Sequence, residues 1–203
     1  MAEQQQPDRL TVVTVLEVYA ALRAAWRKFM GAEPERASLL VLLAHWSLET
    51  GRGRGMHCFN LGNIKHVPGD GRDFCTFRAS EVVGGVERFS VMAFRAYPSL
   101  EEGARDYLTE LVGTFRYAWP AVLAGAPADF SHRLKVSRYY TADEGLYTRA
   151  LVALVHGLDA EIGADTLPEL PSADATGGLG QVAIEQSADE HPPGGHDDPA
   201  PTA

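Results

Sequence analysis

Residues 42–66, LLAHWSLETGRGRGMHCFNLGNIKH, change character twice, from an apolar helical pattern to a glycine run and then to a polar loop. Leu42, Trp46 and Glu49 stand at i, i+4 and i+7. On a helix they share one face, so the carboxylate lies on the face that otherwise enters the core and is half buried. The helix spans about Glu35 to Thr50 and stops at Gly51-Arg52-Gly53-Arg54-Gly55, where a glycine supplies a left-handed C-cap. Its richness in leucine marks it as the central, most buried helix. In the last turn the negative end of the helix dipole opposes a carboxylate, and desolvation acts in the same direction, so both raise the pKa of Glu49. A carboxyl kept protonated near neutral pH suits a general acid. The competing reading pairs Glu49 with His45, Arg52 or Arg54 at a solvated helix end, and position alone does not choose between the two.

Working outward, a first helix is expected from Asp8 to Met30, with Val12, Leu16, Tyr19, Leu22, Trp26 and Phe29 forming its apolar face before Gly31. After the glycine run, LGNIKHVPGDGRD reads as loop, and DFCTFRASEVV and VERFSVMAF read as two strands around a Gly84-Gly85 turn. Helical periodicity returns after Pro98 with a Ser99/Glu102 capping box. A short helix follows over Asp129 to Val136, then another from a Thr141/Glu144 box, with Tyr147, Leu151, Leu154 and Leu158 as its stripe. The order predicts a mainly helical α+β fold with a small β lobe inserted after the helix that carries Glu49. The boundaries are a flexible N-terminus over 1–7, one folded domain over 8–163, and a disordered acidic Pro/Gly-rich tail over 164–203 that cannot bury enough apolar surface to order itself.

Charge and composition narrow the partners. The net charge of -9 is concentrated in the tail, whose eight acidic residues face no Lys or Arg, leaving 18 basic against 19 acidic groups before it. A nearly neutral domain lacks the cationic surface that nucleic acid demands. No apolar run approaches the roughly 18 residues of a membrane span, and MAEQQQPDRL lacks the pattern of a secretory signal. The expectation is therefore synthesis in the cytoplasm. Cys58 and Cys75 fit either a disulfide or two free thiols. The spacing of His57, Cys58, His66 and Cys75 matches no common ligand pair, so neither a metal nor a cofactor is expected. No G-x-S-x-G elbow or cysteine triad context is present. Trp46, inside the apolar stripe, is expected in the core.

Glu49-Thr50-Gly51-Arg52-Gly53 followed by Asn60-Leu61-Gly62-Asn63-Ile64-Lys65 resembles the lysozyme-like, glucosaminidase-type (mannosyl-glycoprotein endo-beta-N-acetylglucosaminidase-like) peptidoglycan hydrolases. The likeness continues through Phe94-Arg95-Ala96-Tyr97-Pro98-Ser99-Leu100-Glu101-Glu102-Gly103 and Tyr139-Tyr140-Thr141-Ala142-Asp143-Glu144 with Tyr147, covering about Ser38 to Ala153. Arg52 departs from the family's usual aromatic or small residue, and Tyr140 fills a variable place in the tyrosine motif. The resemblance implies a lysozyme-like fold, cleavage of the β-1,4 bond between N-acetylglucosamine and N-acetylmuramic acid, and Glu49 as catalytic acid. It further implies that Tyr139, Tyr140 and Tyr147 line the glycan site or pack beneath it. Asn60 is a candidate substrate contact, with loop structure as its alternative.

Glycoside hydrolysis usually requires a second carboxylate; the resemblance implies that it comes from the β lobe where one exists, or that Glu49 acts alone with help from the substrate's N-acetyl group. Glu81 is preferred to Glu87, with Asp70 and Asp73 behind them, and an ion pair of Glu81 with Arg88 across the hairpin is the competing structural role. Peptidoglycan strands are the implied partner, reached at the cell wall or periplasm by non-classical delivery, with the acidic tail as the contact for a delivery partner. The alternative function is a non-catalytic wall-binding or assembly module, such as a phage tail or injection component, that retains the fold.

Overall fold

The computed structural model describes residues 3–83 and 86–163, the side chains of 80–87 aside. The Gly84-Gly85 turn and the tail over 164–203 therefore lie outside the described residues. Among those described, the elements are α1 (Val15–Met30), α2 (Arg36–Thr50), β1 (Phe74–Val83), β2 (Val86–Arg95), α3 (Leu100–Val112), α4 (Trp119–Leu123), α5 (Pro127–Val136) and α6 (Glu144–Ile162). This is the expected mainly helical α+β order. No described helix is long and apolar enough to cross a membrane.

Helix α2 is apolar on nearly every side, and every residue from Ser38 to Ser47 is buried. Such a helix must be enclosed by others. It packs against α1, α4 and α6, while α1 also meets α3 and α5 meets α6. Trp46 is completely buried, as expected, and Trp26 of α1 meets Trp119 of α4 at a ring separation of 5.2 Å. The Gly51 amide closes α2 onto the Ser47 carbonyl in a left-handed conformation, the glycine cap that the sequence predicts.

The first helix is shorter than expected. Thr14 and Glu17 form a reciprocal capping box that starts α1 at Val15. Upstream, the backbone is committed elsewhere: Thr11 N donates to Met56 O, Cys58 N to Arg9 O, Gln6 N to Phe74 O and Phe74 N to Gln4 O. Gln4 and Gln6 are thus paired with the start of β1. Val12 falls outside the helix and is 85% exposed, and Leu16 and Phe29 lie at the edge of the face. Val18, Tyr19, Leu22 and Trp26 carry the burial. Two other starts also differ. Asp143, not Thr141, caps α6 by accepting from Leu146 N. Helix α5 begins at Pro127, a residue suited to the first turn because its missing N–H has no helical partner there.

Strands β1 and β2 pair antiparallel with Phe74 opposite Arg95 and Glu81 opposite Arg88, the register expected of a two-residue turn. Between α2 and β1 the chain makes a constrained loop. Cys58 and Phe59 take φ of 50° and 53°, a left-handed conformation that costs non-glycine residues energy and persists only where the surroundings enforce it. Here the Phe59 amide donates to Thr11 Oγ1, and Cys58 O accepts from Tyr97 N. The loop presses on α3 at Gly103, where an added Cβ would lie 2.0 Å from Phe59 O. Gly103→Ala should therefore lower stability by about 1–3 kcal/mol, measured by thermal or urea unfolding; an unchanged midpoint would show that the loop can retreat.

Candidate active site

Glu49 lies in the final turn of α2 with 18% of its side chain exposed. Tyr147, one turn into α6, donates from Oη to Glu49 Oε1 at 2.6 Å. Asn63 donates from Nδ2 to the Glu49 carbonyl, tying the following loop to the helix end. Burial pushes the carboxyl up to about 7, and the Tyr147 hydrogen bond pulls the other way without cancelling it. The cationic partners weighed from sequence do not explain Glu49. Arg52 reaches instead to Glu161 of α6 at 2.7 Å. His45 Nε2 is 3.6 Å from Oε1, but that ring is fully buried and burial holds its pKa down at about 3, so it is uncharged.

The tyrosines gather around this point. Tyr140 stacks on Tyr147 at 3.7 Å and 6° between planes, and it bonds Ser131 through its hydroxyl. Tyr139 donates to Gly62 O at 2.7 Å, and its ring lies 4.9 Å from that of His45. Burial raises the pKa of both Tyr139 and Tyr147, with the nearby Glu49 charge adding to it. Of the three, only Tyr147 hydrogen-bonds the Glu49 carboxyl; the hydroxyls of Tyr139 and Tyr140 are taken up by Gly62 and Ser131.

Asn60 does not present itself to a ligand. It is buried, its Nδ2 donates to Ile64 O and Arg95 O, and its Oδ1 accepts from Ile64 N. Both amide hydrogens are used in holding the loop, so the substrate-contact expectation gives way to the loop-holding one. Asp70 and Asp73 are likewise engaged. Asp70 pairs with Arg95 at 3.1 Å, and Asp73 accepts from Gln4 N and Gln6 Nε2. The buried Arg95 also joins Asp106 and Glu110, and Asp106 accepts from Tyr97 Oη at 2.6 Å. This network fixes the end of β2 to α3. The side chains of Glu81 and Glu87 lie outside the described residues.

Sequence reasoning missed Tyr107 and underused His45, whose Nδ1 meets Tyr107 Oη inside the core. Tyr107 is one of the buried residues of α3, and a core position of this kind gives no hint of a polar partner. Cys58 and Cys75 are both buried free thiols. Asp8, far away in sequence, brings a carboxylate oxygen within 4.8 Å of both sulfurs. A surface hollow of about 590 Å³ is lined by Arg27, Lys28 and Glu33 among others, and Glu49 is not part of its lining.

With this geometry in hand, solved structures supply the comparison. A mutant peptidoglycan hydrolase from Sphingomonas sp. A1 matches with a TM-score of 0.51 and 23% identity over 68% of this chain and 93% of that one. The catalytic domain of the autolysin Auto from Listeria monocytogenes gives 0.52 and 21% over 70% and 81%. The glycoside hydrolase domain of FlgJ from Salmonella typhimurium gives 0.50 and 21% over 73% and 91%. The chain shares their fold. No family model matches the sequence, and no curated protein does.

The raised pKa of Glu49 has a measurable consequence. A carboxyl whose pKa is raised from 4.5 to about 7 contributes stability that is fully present below 4.5 and lost as pH rises through 7. Glu49→Gln, which cannot ionise, should therefore gain stability relative to wild type as pH rises, by about 3 kcal/mol between about pH 4.5 and 8.5. Urea unfolding at both ends of that range measures it. A pH-independent difference would mean that Glu49 titrates as an ordinary surface carboxyl.

Proposed function

We propose that this protein is a peptidoglycan hydrolase that cuts the β-1,4 bond between N-acetylglucosamine and N-acetylmuramic acid, with Glu49 as general acid. The observation that carries the reading is the Glu49 carboxyl, half buried at a helix C-terminus, held by Tyr147 and pushed up to about 7. The fold it shares with the peptidoglycan hydrolase, autolysin and FlgJ glycoside hydrolase domains adds support.

In this reading Glu49 gives its proton to the glycosidic oxygen as the bond to the anomeric carbon breaks, which lets the leaving sugar depart as an alcohol. The resulting carboxylate then takes a proton from the water that attacks the anomeric centre. Tyr147 helps here, because a donor to Oε1 stabilises the transient negative charge in a desolvated setting. Asp70 and Asp73, held in structural hydrogen bonds, are poor candidates for a second acid. We assign that role to Glu81 on the hairpin. Peptidoglycan is reached by delivery to the wall, with the acidic tail as the delivery contact.

Mass spectrometry of fragments released from purified peptidoglycan tests the proposal. Wild type should generate new reducing ends whose terminal sugar names the bond, and Glu49→Gln should lower the rate by about 10²-fold or more. Binding to sacculi without release by wild type would favour a non-catalytic wall-binding module. For the second acid, Glu81→Gln should lose about 10²-fold while Glu87→Gln does not; full activity in Glu81→Gln would remove that assignment.

A further inference from the structure

His45 sits one turn before Glu49 on α2, so the two side chains are neighbours on one face. Its ring is completely enclosed. It stacks near Tyr107 at 5.7 Å, meets Phe130 edge-on at 5.2 Å and lies against Tyr139. Packing alone would be served by leucine or phenylalanine. A buried imidazole instead brings two polar nitrogens whose desolvation must be compensated.

Nδ1 has a partner in Tyr107 Oη. Nε2 has none within hydrogen-bond distance, and the acceptor it faces is Glu49 Oε1 at 3.6 Å. The tautomer follows from the tyrosine. The Leu42 carbonyl is the other acceptor near Tyr107 Oη, at 3.5 Å, a poor hydrogen-bond length. The hydroxyl hydrogen is better placed on Nδ1, which puts the ring hydrogen on Nε2, directed at Glu49.

The groups facing this ring come from each element around it. Glu49 lies on α2, Tyr107 on α3 and Phe130 on α5; Tyr139 precedes α6, and Tyr147 lies within it. Tyr139 Oη is committed to Gly62 O, and Tyr147 Oη to Glu49. Beyond Tyr139, Glu110 is paired with Arg95. Two donors, Tyr147 Oη and His45 Nε2, therefore converge on the same carboxyl oxygen.

Resting on the reading of Glu49 as general acid, we propose that His45, as the uncharged Nε2–H tautomer fixed by Tyr107, is a positioning residue that claims Glu49 Oε1 together with Tyr147. The transferable proton is thereby left on Oε2. A carboxylic acid with two donors on one oxygen cannot carry its hydrogen there, so Oε2 protonates and the acid delivers from a single atom in a single orientation. Catalytic hydrogen bonds often tighten only when substrate is bound, and the 3.6 Å separation needs to close by less than 1 Å to become one.

The test is turnover of purified peptidoglycan by the full chain across about pH 4.5–9. It compares wild type with His45→Leu, His45→Gln, Tyr107→Phe and Glu49→Gln. His45→Leu removes the donor and should lower kcat by about 10-fold or more with KM little changed. It should also move the alkaline limb of kcat/KM up by about one unit, because a lost donor destabilises the carboxylate. His45→Gln, whose amide N–H can reach the same oxygen, should restore both to near wild type. Tyr107→Phe should shift the limb in the same direction by less. Nitrogen-15 NMR of labelled histidine should find His45 as Nε2–H, unchanged through neutral pH.

A wild-type rate and limb in His45→Leu, or an Nδ1–H tautomer, overturns the proposal while Glu49→Gln remains inactive. Full activity in Glu49→Gln would instead bring down the general-acid reading beneath it. If His45→Leu does not fold, the His45→Gln profile and the tautomer decide. Loss of the limb in His45→Gln would count against the proposal.

Discussion

A carboxyl group cannot be drawn into a helix-packed core unless something donates to it, and the 2.6 Å bond from Tyr147 to Glu49 meets that requirement across 98 residues of chain. The bond sets conditions on both helices it joins. Helix α2 must end where Glu49 reaches the rim of the core, which the left-handed Gly51 enforces. Helix α6 must begin where Tyr147 arrives opposite, which the Asp143 cap enforces. An ion pair between Arg52 and Glu161 ties the same two helices on the outside, where solvent leaves such a pair worth little. The inner bond, sheltered from water, has more to hold.

The loop after α2 is built to serve the same end. Asn60 anchors it to β2 through Arg95 O, Asn63 anchors it to the Glu49 carbonyl, and Tyr139 anchors it through Gly62 O. Gly62 sits tightly against its neighbours: an added Cβ would lie 3.0 Å from the Tyr107 ring and 3.1 Å from Tyr139 Oη, so both would have to give by a few tenths of an ångström. The polar residues of this segment are thus fasteners that hold the loop against α2, β2 and Tyr139.

How much of this was legible in the sequence varied with the range of the interaction. The central helix, its glycine stop, the half-buried Glu49 and the hairpin register all follow from local rules of period, cap and turn, and all appear in the structure. Failures came where a partner distant in sequence decided the outcome. The segment before Thr14 has helical periodicity, yet its backbone pairs with residues 56–58 and 74, and no local pattern announces that. Asn60 looked equally suited to ligand and loop because its two acceptors, Ile64 O and Arg95 O, come together only on folding. Tyr107 was concealed by being a good core residue.

The two titrating groups at the end of α2 also constrain each other through protons. Burial lifts Glu49 from 4.5 to about 7 and depresses His45 from 6.5 to about 3. Between about 4.5 and 6.5 both are neutral in the folded protein, whereas the unfolded chain carries one negative and one positive charge. Folding then moves a proton from histidine to glutamate without net uptake, so in that window their opposing pH dependences cancel. Below 4.5 the unfolded glutamate is already neutral, and the histidine alone makes stability fall with acid. Above 6.5 the unfolded histidine is neutral, and the glutamate alone makes stability fall until it ionises near 7. Placing a depressed base beside a raised acid thus lets the fold carry a protonated carboxyl at mildly acidic pH without tying its stability to pH there. A lone buried glutamate would tie stability to pH across the whole range from 4.5 to 7.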